Sequence, residues 1–533
     1  MWWLAFIACT QKTAPPGVVD SGEIVAATET AEPDDGVPED VHRWVRRMSF
    51  DLRGIPPSEA ELDVLDTNPD AWSELRDQYM SGTQFTERMV HLYAESWHTR
   101  IDVFDIVAFD YGLDSTEEYT YERAVGEEPL RIIAEVITAD LPWSEVVTSN
   151  WTMANEILGE IWPIDYPEGG EGWHRAQYHD NRPTAGVLST NGLWWRYTTT
   201  TANMNRRRAA IISKLLLCED YLARPVAFSE ADTSTTTTAD AAKEDPYCLA
   251  CHSSLDPIAA SLFGFWWLSL YSEIEETTYH PEREALWEEY LGVAPAWYGK
   301  PISGLPGLGV SIAQDSRFYS CAVESMAETL WRRETTNEDA ALLEGLRVDF
   351  LNADTRVKFL IGALTETEEY QTETLRMMTH DQFNSSIQML TGFVWSTGGY
   401  DQLDSDETGY RLLMGGVDGI SNKSPQRSPG LTWALVIKRA AEAAANHAVE
   451  TELNDGGDRR LFQYVTLFER PGDPLFQQEL QSLHRRLYGS SPSEEWITEI
   501  SALWSSVLDE NGPSNAWKSA ASAMLRDPRF LSY

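Results

Sequence analysis

The chain has 533 residues, enough for two to four domains around a large buried core. Its 84 acidic against 41 basic side chains leave a formal charge of −43, which argues against nucleic acid or an anionic membrane surface as partner and for a solvated exterior or a cationic partner. Hydrophobic content is ordinary for a soluble protein, but 21 tryptophans point to large aromatic contacts between helices.

The chain opens on M-W-W-L-A-F-I-A-C-T, an apolar run ending in a small residue and Cys9. That order is similar to a bacterial lipoprotein signal, whose cleavage would leave Cys9 as a lipidated first residue, although the run is short and no Lys or Arg precedes it. Residues 10–38 read as an acidic, Pro/Thr/Ala-rich tether. Residues 1–38 are thus expected to be signal and disordered leash. No later stretch approaches ~20 apolar residues, so membrane association is expected through the lipid anchor only.

Residues 39–160 read as an N-terminal helical domain. Gly54, Pro56 and Pro57 end a first helix, and Ser58 with Glu61 makes a capping box for the next. Leu62, Leu65, Trp72 and Leu75, then Phe85, Met89, Leu92, Tyr93 and Trp97, keep helical spacing. Asp102, Asp105, Asp110 and Asp114 lack the spacing of a calcium loop and read as solvated.

Residues 161–310 form an irregular and helical segment. His174 and His179 suit solvent-facing or structural roles. Arg206, Arg207 and Arg208 open a helix carrying Ile211, Ile212, Leu215 and Leu216; on so acidic a chain they read as internal ion pairing. Residues 233–245 are Thr/Ala/Asp-rich and read as loop.

Directly afterwards comes D-P-Y-C-L-A-C-H-S-S-L-D-P, residues 245–257. Cys248 and Cys251 followed by His252 give C-x-x-C-H, the pattern of covalent c-type haem attachment. Two thiols three positions apart add to the two vinyl groups along one porphyrin edge, and the adjacent imidazole ligates iron. Zinc would want a second Cys or His pair, which the sequence lacks, and a thioredoxin-like pair would want a preceding strand. A plain disulfide or two inert thiols is the remaining alternative. Residues 262–268, L-F-G-F-W-W-L, supply an apolar wall. Met326, the first methionine after the motif, is the expected distal iron ligand, with His280 in an acidic, exposed loop as second choice. With Cys9 lipidated, Cys218 and Cys321 are left over, and in an oxidising compartment they are expected to pair.

Residues 311–533 read as a C-terminal helical domain with a Gly-rich interruption at 415–419. The fold class expected is mainly α and multi-helical, with an embedded c-type haem segment and long irregular loops. No P-loop, G-x-G-x-x-G, G-x-S-x-G or H-E-x-x-H is present.

Several stretches together resemble the secreted, c-type-cytochrome-like proteins of planctomycetes and myxobacteria, which are built from domains of unknown function. R-R-M-S-F-D-L-R-G-I-P-P (46–57) is similar to the opening of one such domain. P-T-A-G-V-L-S-T (183–190), R-R-R-A-A-I-I-S-K-L-L-L-C (206–218) and C-L-A-C-H-S-S-L-D-P (248–257) resemble another, though Ile258-Ala259-Ala260 departs from the Gly that family has after D-P. R-F-Y-S-C-A-V (317–323), residues 375–392 and R-D-P-R-F-L (526–531) resemble its C-terminal pieces. The resemblance implies an exported bacterial protein, periplasmic or surface-anchored, with haem c and no established substrate. Three functions fit: electron transfer or redox chemistry with a redox partner of basic surface, a surface-anchored scaffold with a structural or absent haem, and an oxidative haem enzyme acting on an extracellular polymer.

Overall fold

Local signals account for the first helices. The computed structural model describes residues 39–224, 246–266, 279–372 and 375–533; Cys9 and its tether, the loop at 233–245, and Trp267 and Leu268 lie outside them. Helix α1 (Glu39–Arg53) is ended by Gly54, whose φ of 74° is left-handed and strains any residue with a Cβ. Ser58 then caps α2 (Glu59–Thr67). Its hydroxyl accepts from the Glu61 N–H, and its own N–H donates to the Glu61 carboxylate at 2.7 Å, the expected capping box. Helices α3 (Trp72–Tyr79) and α4 (Gly82–Trp97) follow, with Leu62, Leu65, Leu75, Phe85, Met89 and Trp97 all buried.

Helix α5 (Glu118–Thr138) lies against α4 and is buried around nearly all its circumference, which marks the centre of a large core. Close approach to it depends on glycine. At Gly192 a Cβ would fall 2.0 Å from the carbonyl oxygen of Val125 in α5. An aromatic cluster packs beside α5, with Trp195 at 5.3 Å from Trp162 and Phe104 at 6.2 Å from Trp195.

The later elements that matter here are α6 (Arg206–Leu217), α7 (Pro246–Ala260), α8 (Ser316–Trp331), α9 (His380–Thr391), α10 (Leu431–Ala448), α11 (Pro474–Tyr488) and α12 (Glu494–Leu525). The small side chains of Ala440, Ala441, Ala444 and Ala445 let α12 close on α10, and Trp504 and Trp517 fill the space against Phe476. Helix α12 breaks at Gly512, whose φ of 81° is not helical, and resumes at Pro513. The molecule is mainly helical. Strand among the described residues is confined to three short antiparallel pairs: Thr152–Ala154 with His174–Ala176, Ala296–Trp297 with Lys300–Pro301, and Ser396–Thr397 with Tyr400–Asp401. No described helix is long and apolar enough to cross a membrane.

The described residues, from Glu39 on, fall within one contact unit, and α1 lies within it beside the end of the chain. Phe50 belongs to the C-terminal core and stacks on Tyr533 at 4.7 Å. Asp51, 2% exposed, accepts hydrogen bonds from Tyr370 (3.1 Å), Arg376 (2.9 Å) and Tyr533 (2.9 Å). The motif of residues 46–57 is therefore a clamp between the two ends of the chain.

Candidate functional site

Helix α7 carries the C-x-x-C-H motif. Cys248 and Cys251 are free thiols, both half-buried, one turn apart on this helix. His252 follows, its side chain 26% exposed. Its Nδ1 lies 2.9 Å from Oδ1 of Asp256, one turn further along the same helix. Such a contact fixes the ring and commits Nδ1, which leaves Nε2 as the nitrogen available to a ligand.

Asp256 is itself held from α6. Arg206, the first residue of α6, donates Nε to Oδ1 at 2.7 Å and Nη2 to Oδ2 at 2.9 Å, a bidentate pair of the strong, directional kind. Burial pushes the Asp256 carboxyl up, but the Arg206 hydrogen bonds and charge, with His252, outweigh it and hold it below the usual carboxylate range. The carboxylate therefore stays ionised although only 5% exposed. The same turn, between His252 and Asp256, is braced by Tyr221, whose hydroxyl meets Ser254 Oγ at 2.8 Å.

Among the described residues, the expected ion pairing of the three arginines is present at Arg206. Arg207 is exposed, and the fully buried Arg208 meets backbone instead, donating to the carbonyls of Tyr197 (2.8 Å), Trp194 (3.2 Å) and Phe265 (2.8 Å). Burial, helped by Arg207, pushes its pKa down to about 9. Helix α6 thus grips the motif at Asp256 and the chain just beyond it at Phe265. Of the apolar wall, residues 262–266 are buried, as are Leu255, Ile258 and Ala259 on α7.

At its other end α6 stops at Cys218, in a left-handed conformation (φ 56°), and Cys218 is bonded to Cys321 of α8 with a Cα–Cα separation of 5.3 Å. The pairing expected from the leftover cysteines is present, and the loop it closes contains the whole motif.

The two sixth-ligand candidates are placed differently. Met326 is buried on α8 and lines a cavity of about 170 Å³ with Tyr93, Glu95, Arg332 and Arg427; the described lining includes no residue of α7, and α6 packs against both α7 and α8. His280 is less exposed than its acidic surroundings suggest, at 16% for the side chain. Its N–H donates to Gly264 O at 2.8 Å, its Nδ1 meets Glu282 at 3.0 Å, and its buried Nε2 has no hydrogen-bond partner among the described residues. Of the two, His280 is the one tied to the segment that follows α7. His174 and His179 are exposed, in keeping with solvent-facing roles.

The acidic group read as solvated divides. Asp105, Asp110 and Asp114 are exposed. Asp102 is not: it is 1% exposed, pairs with Arg123, and accepts from Ser405 Oγ (2.5 Å) and the Asp406 N–H (2.7 Å). Ser405 and Asp406 lie 303 and 304 residues further along the chain, and no local pattern marks them. Among the described residues, no group of three or more His, Cys, Asp or Glu is arranged to hold a metal ion, so the two thiols and His252 have no further described donors of the kind zinc requires.

A family model described as PSCyt2, a protein of unknown function (DUF1549), matches residues 24–158. The match takes in α1 to α5 and the 46–57 clamp, and ends before the C-x-x-C-H motif. Comparisons with curated proteins and with solved structures gave no match.

Proposed function

We propose that this chain is an exported c-type haem protein of electron transfer, with the porphyrin held by Cys248 and Cys251 and the iron by His252. The observation that carries the proposal is the state of the donor set on α7. Two unpaired, half-buried thiols sit one turn apart, and beside them is an imidazole whose Nδ1 is already committed to Asp256. A haem ligand needs that tautomer, with Nε2 bearing the lone pair, and inert structural thiols do not. When bound, the haem would supply a one-electron couple. This chain's own residues contribute attachment at two sulfurs, orientation of the imidazole through Asp256, and an apolar backing from Leu255 to Trp266.

The Cys218–Cys321 bond supports the exported location, because such bonds persist where thiols are not kept reduced. Cys9 as a lipidated anchor belongs to the same proposal, as does a redox partner whose basic surface would meet the −43 charge.

The test of function is electron exchange. Protein exported with a haem-attachment system is titrated with chemical reductant and oxidant while its absorption bands are followed. A reversible one-electron transition supports electron transfer. Haem that cannot be cycled reversibly would refute that role and favour a structural one.

A further inference from the structure

Resting on the haem reading above, we propose that the Asp256–Arg206 pair sets the reduction potential of the iron held by His252, with Asp256 lowering it and Arg206 limiting the effect. The i, i+4 spacing on α7 puts the carboxylate directly on the back of the imidazole, at 2.9 Å. A ligating histidine commonly donates its other N–H to a neighbouring acceptor, and the stronger that acceptor, the more basic the nitrogen facing the metal. Here the acceptor is a carboxylate, not a neutral carbonyl. At 7% side-chain exposure it lies where water screens its charge weakly.

A fixed negative charge on the far side of the ring favours the more positive, ferric iron over the ferrous. The same oxygen, Oδ1, accepts from both His252 Nδ1 and Arg206 Nε. Arg206 therefore competes with the imidazole for that oxygen and offsets part of its charge. Cutting the pair on one side or the other should move the potential in opposite directions. A merely structural role would not produce that sign reversal. The couple is one electron on the iron, and the titrant supplies or removes it. Asp256 and Arg206 are positioning residues: neither contacts the haem in this scheme, and both act through His252.

The experiment is a spectroelectrochemical titration of the exported holoprotein beside Asp256→Asn and Arg206→Gln, with covalent haem per chain measured on each sample. Asp256→Asn is expected to shift the ferric-to-ferrous ratio at a given potential at least tenfold toward ferrous, a rise of about 59 mV for a one-electron couple. Arg206→Gln is expected to shift it the other way. If Asp256→Asn does not accumulate with haem, Arg206→Gln decides alone: a fall supports the proposal, and no change or a rise overturns it. Haem-loaded variants with the wild-type midpoint overturn this proposal and leave haem attachment standing. A wild-type protein with no covalent haem overturns both.

Discussion

Replacing Cys218 and Cys321 together by serine is expected to cost the folded protein about 4–5 kcal/mol. The bond closes a loop of sequence separation 103, and in the chain-entropy account a loop of about 100 residues is worth ~4.7 kcal/mol, because the crosslink removes that much freedom from the unfolded chain. The position adds a local consequence. Helix α6 is pinned to α8 at Cys218 and grips Asp256 and Phe265 from its other end, so the crosslink supports the element that orients the motif. Denaturant unfolding of the double variant against the oxidised wild type measures the effect. A difference below about 1 kcal/mol would contradict the loop-entropy account.

An effect of similar size is expected from Asp404→Ala. Asp404 is 5% exposed; its Oδ2 accepts from Arg100 Nη2 (2.9 Å) and the Tyr119 hydroxyl (2.7 Å) and forms an ion pair with Arg123, whose Nε lies 3.1 Å away. Arg100 and Arg123 are themselves largely buried, so removing the carboxylate leaves two guanidinium groups short of counter-charge. Breaking a buried pair in this way costs about 3–5 kcal/mol, far more than losing a surface salt bridge. The pH dependence follows from the same contacts. Burial pushes the Asp404 carboxyl up, but Arg100, Arg123 and Arg411 outweigh it and hold it well below the usual range. A depressed folded value means that the contribution is complete above the unfolded carboxylate value of about 3.9 and is lost as the pH falls toward the folded one. Asp404→Ala should therefore lower stability at neutral pH and flatten its decline below about pH 4. Equal acid sensitivity in variant and wild type would count against this role for Asp404.

What the sequence made legible was local. The Ser58–Glu61 capping box, the helical stripes of residues 62–97 and the C-x-x-C-H triplet are patterns within one or two turns, and the structure keeps each on a helix. The cysteine pairing came from elimination, not contact. What was not legible depends on distant partners. The ionic cluster joining Asp102, Arg123, Asp404 and Arg411 spans about 300 residues, and an aspartate with such a partner looks like a solvated one in sequence. The role of Asp256 lies between these cases. His252 and Asp256 are four apart on a helix, a spacing that puts two side chains in contact, and that signal was available. The grip of Arg206 on Asp256 across 50 residues was not. The family model that matches covers residues 24–158 and stops short of the motif.

The central claim is that Cys248, Cys251 and His252 bind haem, and intact-mass measurement of the exported protein tests it most directly. Wild-type chain produced with a haem-attachment system is expected to carry the mass of one haem through denaturation, and Cys248→Ser/Cys251→Ser produced alongside is expected to carry none. A folded wild-type protein, with its Cys218–Cys321 bond formed, that emerges at the mass of the bare polypeptide would contradict the account.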